Sequence, residues 1–192
     1  SVGLIAPYLG YMRQDTRFHR GEAVSTPLFA QFLEESFDWL VTVDPHLHRV
    51  DRLQSLYRMP AAHVSATPAV ARWIAQTVPD AVLIGPDSES EQWVADIAAR
   101  SGMPYQVLAK ERHGDYDVRV SLPDPAAVAG RTPVLIDDIV SSGHTILETL
   151  AHLRRLSLPP PLLVAIHPVF AGDAYARLQQ AGLARIVSTD SI

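Results

Sequence analysis

Short apolar runs alternate with amphipathic stretches along almost the whole chain, and no other feature of the sequence constrains the fold as strongly. The runs have the length and composition of buried β-strands, and the stretches between them carry the apolar periodicity of helices that pack on one face. Strands that alternate with helices form a parallel sheet covered by helices. We therefore predict an α/β fold with mainly parallel sheets. The clearest predicted strands are residues 4–7, 39–43, 81–85, 134–136, 162–166 and 185–188.

The composition narrows the class of protein. With 192 residues, of which 47% are hydrophobic and 19% charged, the chain can form one ordinary domain or two small ones with a sizeable core. A net charge of -5 argues against general nucleic-acid binding, which needs a clustered cationic surface. No apolar run approaches the roughly 20 residues that cross a bilayer, and the sequence has neither a signal-peptide layout nor a cysteine. We therefore predict a cytoplasmic protein that binds small molecules and no membrane.

One predicted strand, residues 134–136, leads directly into two carboxylates, Asp137 and Asp138, and then into a short polar turn and a helix. The turn and the helix start comprise Ser141, Ser142, Gly143, His144 and Thr145. Amides and hydroxyls at a helix N-terminus favour an anion such as phosphate. Carboxylates accept hydrogen bonds from hydroxyl groups and hold divalent cations directly or through water. A phosphate site beside a diol-binding pair suggests a sugar phosphate as ligand.

Polar side chains also follow two earlier predicted strands, where parallel sheets place ligand sites. Arg13 offers a planar fork to a phosphate or a base, and Gln14 and Asp15 can accept from an amino group or orient the arginine. His46 follows the strand at 39–43, and a neutral imidazole there can ligate a cation on a polyphosphate. Taken alone, these residues also fit a solvated loop and a turn histidine.

A third strand end, after residues 81–85, carries Asp87. The helix that follows it begins with Ser88 and, three residues later, Glu91, which predicts a capping box. We leave the roles of Glu89, Glu91 and His48 open.

Lys110 is the one lysine among the sixteen Lys and Arg residues of the chain, and Arg112 lies two residues beyond it. We predict strands at residues 105–108 and 117–120, joined by a polar, glycine-containing loop in an antiparallel excursion from the sheet. Such a loop has the composition of an active-site lid. By itself, one lysine in a polar loop is also explained by chance.

These segments together resemble the ribose-phosphate diphosphokinase family. Residues 134–145 are similar to the 5-phosphoribosyl diphosphate fingerprint, which this family shares with type I phosphoribosyltransferases. The remaining similar segments, in family order, are residues 11–15, 43–46, 86–87, 110–112 and 167–173. The resemblance extends over essentially the whole chain. It implies two type I phosphoribosyltransferase-like domains, residues 1–66 on the ATP side, which we expect to be incomplete at the N-terminus, and residues 67–192 on the ribose 5-phosphate side.

The resemblance also implies an activity, in which ATP and ribose 5-phosphate give 5-phosphoribosyl 1-diphosphate and AMP. It assigns Lys110 and Arg112 to catalysis, and Asp137 and Asp138 to the ribose hydroxyls. The loop of residues 141–145 binds the 5-phosphate. The resemblance assigns ATP binding to Arg13, Gln14, Asp15 and His46. It assigns Mg²⁺ binding to His46 and Asp87. The family commonly forms dimers that build hexamers.

Two alternatives remain open. A type I phosphoribosyltransferase would use the same fingerprint to attach the sugar to a nucleobase. A non-catalytic diphosphokinase-associated subunit would keep the fold and act by partnering an active subunit. Ser142 and His144 depart from the commoner Thr and Gly of the fingerprint, which leaves the number of loop hydroxyls similar and adds an imidazole at the phosphate.

Overall fold

The computed structural model describes residues 1–17, 19–50, 52–108, 110–112, 118–120 and 123–192, with 110–112 and 118–120 described by their backbone. The strands among these residues are β1 (Gly3–Ala6), β2 (Trp39–Val43), β3 (Ala61–Val64), β4 (Ala81–Gly85), β5 (Tyr105–Val107), β6 (Lys110–Arg112), β7 (Val118–Val120), β8 (Thr132–Ile139), β9 (Leu162–His167) and β10 (Arg185–Ser188). The α-helices are α1 (Ser25–Glu34), α2 (Thr67–Thr77), α3 (Glu91–Ser101), α4 (Pro125–Val128), α5 (His144–Leu153) and α6 (Ala174–Gln180). The chain divides into two compact units, Ser1–Ala66 with Ser191–Ile192, and Thr67–Asp190.

The first unit contains a three-stranded parallel sheet in the order β1-β2-β3. Its core joins the inner side of α1 to the sheet and to the loops that follow β1 and β2. The buried members of this core are Leu9, Met12, Ala30, Leu33, Leu40, Leu53, Tyr57 and Ala61. The sequence pattern did not predict β3, in which Ala61 is buried and the next three residues are exposed.

The second unit contains a five-stranded sheet in the order β10-β9-β8-β4-β5, and all its pairings are parallel. One apolar core lies on each face of this sheet. The core on one face includes Ile146 and Leu150 of α5, and the core on the other includes Val94 and Ile97 of α3. Helices on both faces of a parallel sheet confirm the predicted α/β class.

The long strand β8 lies between β4 and β9, so both of its edges are hydrogen-bonded. Its residues from Pro133 to Ile136 are buried. The register places Asp137 opposite Ala165 and Ile139 opposite His167. The acidic pair therefore lies at the carboxyl end of an interior strand, which is where open α/β sheets bind ligands.

The predicted antiparallel excursion exists, but its strands differ from the prediction. β5 joins the main sheet as a parallel neighbour of β4, and the antiparallel pair is formed by β6 and β7. Lys110 and Arg112 therefore begin and end a hairpin strand. Of the predicted lid, residues 112–117, Arg112 is the last residue of β6 and residues 113–117 lie outside the described residues.

Among the residues that the structure describes, no helix has the length and apolar character needed to span a membrane.

Tyr57 is a polar group in the core of the first unit. Burial raises the pKa of its phenol to about 12, and the carboxylate of Glu34 adds to this increase. The unfolded chain ionises such a phenol near its ordinary pKa of about 10. Between these two values the folded state holds the proton that the unfolded state has lost, so stability falls as the pH rises.

We expect the free energy of unfolding to fall by up to about 1.4 kcal/mol per pH unit above pH 10 through this residue. Urea denaturation at pH 9 and at pH 11 measures the loss. Tyr57→Phe removes the ionisable group and should reduce the pH dependence, whereas Tyr105→Phe, at an exposed tyrosine, should leave it as in the wild type. Equal pH dependence in wild type and Tyr57→Phe would contradict the assignment.

Candidate functional site

The two carboxylates at the end of β8 have different environments. Asp137 is half-buried, whereas Asp138 is 6% exposed and its Oδ1 accepts a hydrogen bond from the amide of Ile139 at 2.8 Å. Successive side chains of a strand point to opposite faces, so the two carboxylates leave the sheet on different sides. Asp137 lies on the face of Ala165, which belongs to the same core as α5. Asp137 is therefore the carboxylate on the side of the helix that follows.

The turn between β8 and α5 is fastened to the segment that follows β9. The amide of Val140 donates to the carbonyl of His167 at 3.1 Å, and the amide of Phe170 donates back to the carbonyl of Val140 at 2.9 Å. The amide of Ala171 donates to the carbonyl of Ser141 at 3.1 Å. These three bonds fix the turn beside the end of the sheet. His167, to which we had given no role, is almost fully buried at this point.

The helix α5 begins at His144, so the predicted loop does lie at a helix N-terminus. Ser142 and His144 are exposed, and Ser141 and Thr145 are half-buried. The Nε2 atom of His144 lies 3.2 Å from a carboxylate oxygen of Glu148, one helical turn further on. The imidazole is thus held along the outside of the helix by its own neighbour.

Gly143 connects the turn to the helix in a conformation that few other residues adopt. Its φ of 70° is left-handed, and a Cβ atom placed on it would lie 3.1 Å from Cδ1 of Leu178 in α6. Glycine is therefore favoured here by the backbone angle, and a Cβ atom would also crowd Leu178 of α6.

The segment Tyr11 to Asp15, in the first unit, is shaped largely by its own contacts. Arg13 is exposed. The side-chain amide of Gln14 donates to the carbonyl of Ala23 at 3.1 Å and accepts from the hydroxyl of Ser25. The side chain of Gln14 therefore holds its loop against the start of α1, and Arg13 and Tyr11 are the residues of this segment that face solvent.

Asp15 contacts an arginine that our prediction did not include. Its side chain is 3% exposed, and Oδ1 accepts from Nη1 of Arg49 at 2.8 Å. Oδ2 has no hydrogen-bond partner among the described residues. Arg49 lies three residues after His46, but nothing in the sequence indicates which acidic residue it meets.

His46 is 6% exposed and lies close to His48, with 6.2 Å between the ring centroids. The turn that positions it includes Asp44, whose φ of 32° is left-handed. The carboxylate of Asp44 accepts from the amide of Ala66 at 2.7 Å. His46 thus lies in a fixed turn at the end of β2, and it is almost fully buried.

Asp87 follows β4 and caps the short 3₁₀ turn Ser88–Ser90, because its Oδ1 accepts from the amide of Glu89 at 3.2 Å. The predicted capping box of Ser88 and Glu91 is wrong. Helix α3 starts at Glu91 after this turn, and Asp87 provides the capping carboxylate. Asp87 itself lies just beyond the carboxyl end of β4, which neighbours β8 in the sheet.

A preformed metal cage is absent from the part of the chain that the structure describes, where no three His, Cys, Asp or Glu side chains are grouped to hold an ion. Mg²⁺ in proteins is usually held by one or two carboxylates together with substrate phosphates and water. Asp87, Asp137 and Asp138 offer the oxygen ligands that Mg²⁺ prefers. His46 offers nitrogen, which suits this hard cation less well.

Lys110 and Arg112 are the first and last residues of β6, and the structure describes only their backbone. The structure thus brings two sets of the predicted residues together, each within one unit. Arg13, Gln14, Asp15 and His46 follow the ends of β1 and β2. Asp87, Asp137, Asp138 and the residues 141–145 follow the ends of β4 and β8.

Comparison with known proteins gives consistent results. The family model described as phosphoribosyl transferase domain matches residues 62–182. The ribose-phosphate pyrophosphokinase of Methanopyrus kandleri is 33% identical over 98% of this chain and 64% of the relative, and ribose-phosphate pyrophosphokinase 2 of Archaeoglobus fulgidus is 33% identical over 98% of this chain and 67% of the relative. The crystal structure of phosphoribosylpyrophosphate synthetase from Mycobacterium smegmatis superposes with a TM-score of 0.84 at 28% identity, covering 99% of this chain and 61% of that protein. The chain thus spans about two thirds of the length of these proteins.

Gly143 and Gly130 provide a matched pair for testing the turn, since both have a φ of 70° but nothing lies within 4 Å of a Cβ on Gly130. An alanine in this left-handed conformation lowers the free energy of unfolding by about 1 kcal/mol at either position. At Gly143, crowding against Leu178 lowers it by about 1 kcal/mol more. We therefore expect Gly143→Ala to lower the free energy of unfolding more than Gly130→Ala in urea denaturation. Equal losses would show that α6 does not restrict the turn.

Proposed function

The chain belongs to the ribose-phosphate pyrophosphokinase family, also called the ribose-phosphate diphosphokinases, and we propose that the protein transfers the β,γ-diphosphoryl group of ATP to ribose 5-phosphate. The 1-hydroxyl oxygen of the sugar forms a bond to the β-phosphorus. The bond from this phosphorus to the oxygen that bridges it to the α-phosphorus breaks, and AMP leaves with that oxygen. The hydroxyl proton passes to solvent. The products are 5-phosphoribosyl 1-diphosphate and AMP.

The observation that carries the proposal is the acidic pair at the end of β8 beside the N-terminus of α5. The amides and hydroxyls of residues 141–145 can hold the 5-phosphate, and Asp137, on the same side, can accept from the ribose hydroxyls. Asp138 is buried, and its Oδ1 accepts from the amide of Ile139, which fixes the end of the strand. We also assign Asp138 to the ribose hydroxyls, as the family resemblance implies. We assign residues 67–192 to the ribose 5-phosphate side on this basis.

We assign residues 1–66 to the ATP side. Arg13 is the exposed cation of this unit nearest in sequence to Gln14 and Asp15, and its guanidinium suits a phosphate or the face of a base. Gln14 contributes by shaping the loop, since its side-chain amide is already bonded to Ala23 and Ser25. His46 would lie beside the triphosphate.

Mg²⁺ is the cofactor that we propose. When bound it would neutralise charge on the phosphates, and His46 and Asp87 are the residues that would hold it. The protein itself contributes mainly alignment and charge stabilisation, because phosphoryl transfer needs little covalent help. Lys110 and Arg112 supply positive charge over the transferring group. We also propose a cytoplasmic location and a homo-oligomeric assembly, a dimer or a hexamer, as the family resemblance implies.

The proposal predicts a specific product pattern. Phosphorus NMR of the full-length protein with ATP, Mg²⁺ and ribose 5-phosphate should show AMP together with a diphosphate linked to C1 of the sugar. Consumption of added 5-phosphoribosyl 1-diphosphate with a nucleobase, and release of pyrophosphate, would support a phosphoribosyltransferase instead. No reaction with either set of substrates would support a non-catalytic partner.

Lys110→Ala should lower kcat by orders of magnitude with a smaller change in KM, because its charge acts on the transition state more than on the bound substrates. Steady-state kinetics with each substrate varied in turn measures both parameters. Arg72→Ala, at an exposed cation of α2 outside both sets of site residues, should behave as the wild type. An unchanged kcat in Lys110→Ala would remove this residue from the mechanism.

A further inference from the structure

Two irregular segments of the first unit meet through a charged contact. The segment of residues 7–17 follows β1, and the segment of residues 44–50 follows β2. The two strands are parallel neighbours, and the first segment begins beside the end of β2, because the amide of Val43 donates to the carbonyl of Pro7 at 3.0 Å. Further from the sheet, Nη1 of Arg49 donates to Oδ1 of Asp15 at 2.8 Å. The contact of Asp15 with Arg49 therefore joins the two segments beyond the strand ends.

The two side chains of the contact between Asp15 and Arg49 differ strongly in solvent exposure. The side chain of Asp15 is 3% exposed, whereas that of Arg49 is 47% exposed. A carboxylate removed from water loses much solvation energy unless a partner compensates it. Since Oδ2 of Asp15 has no hydrogen-bond partner among the described residues, Arg49 provides much of this compensation. Removing the arginine would leave a buried charge whose neighbours must rearrange.

The position of this pair gives it a consequence for ligand binding. Asp15 lies two residues after Arg13, and Arg49 lies three residues after His46. Any movement between the two segments changes the distance between Arg13 and His46. A guanidinium that pairs with a buried carboxylate through a directed hydrogen bond resists such movement more than apolar contact does.

We propose that Asp15 and Arg49 form a positioning pair, which holds the two nucleotide-binding segments of the first unit at a fixed separation. The pair acts through Arg13 and His46 and does not itself contact the nucleotide. This inference rests on the proposed function, because it concerns the segments that we assign to ATP. It adds Arg49 to the residues on which ATP binding depends. It also gives Asp15 a different role, in which the carboxylate holds the two segments together and does not accept a hydrogen bond from the base.

A double-mutant cycle tests the pair directly. We expect Asp15→Asn and Arg49→Gln each to raise the Kd for ATP about tenfold, and the double variant to raise it no further, since either single change already breaks the contact. Arg49→Lys retains the charge and should recover part of the affinity. Equilibrium dialysis with ATP and Mg²⁺ measures each Kd without turnover. Effects of the two single changes that multiply in the double variant, or an unchanged Kd in Arg49→Gln, would overturn the proposal.

Two controls distinguish positioning from a general loss of structure. The Kd for ribose 5-phosphate should stay within about twofold of the wild-type value in all four variants, because we assign that site to the second unit. An equal rise in both Kd values would overturn the proposal. Arg100→Gln breaks a surface ion pair with Asp96, at 2.9 Å, and should leave the Kd for ATP unchanged. A wild-type protein that binds ATP but forms no sugar diphosphate would contradict the proposed function alone, and the cycle would still test the pair.

Discussion

The burial of β8 on both faces and along both edges is the constraint on which the second unit depends. The strand is hydrogen-bonded to β4 and β9, and its apolar residues enter two separate cores. A shift in register by one residue would exchange the residues of the two cores, so the register is strongly specified. The acidic pair and the turn after it therefore have a fixed place relative to the sheet. Chemistry that depends on separations between polar groups needs such a rigid support.

Much of this unit could be predicted from the sequence because its strands are apolar on both faces and its helices are periodic. The strand at 134–136, the pair after it and the helix after that all follow from local patterns. β3 could not be found in this way, because it is a short edge strand with one buried residue and carries no clear apolar pattern. The partners of β5 and β6 also escaped prediction, since pairing depends on distant residues and not on the composition of the strand itself.

For the site residues too, local patterns could be predicted from the sequence, whereas contacts between distant residues could not. Residue types at strand ends indicated where polar groups gather, and the structure places them at the carboxyl ends of parallel strands. The inequality of Asp137 and Asp138 follows from strand alternation, but the degree of burial requires the neighbouring strands. The contact of Asp15 with Arg49 spans 34 residues of sequence, and no local pattern identifies it. Capping by Asp87 was missed because a single 3₁₀ turn displaced the helix start by three residues.

The loop at the start of α5 alternates between accessible and enclosed positions. Ser142 and His144 are exposed on either side of the enclosed Gly143. Random mutagenesis of this loop should consequently yield functional variants with many different residues at positions 142 and 144, and almost always glycine at position 143. Under the proposed function, evolution toward sugars with other terminal anions would then proceed through those outer side chains, while the backbone amides that they flank stay unchanged.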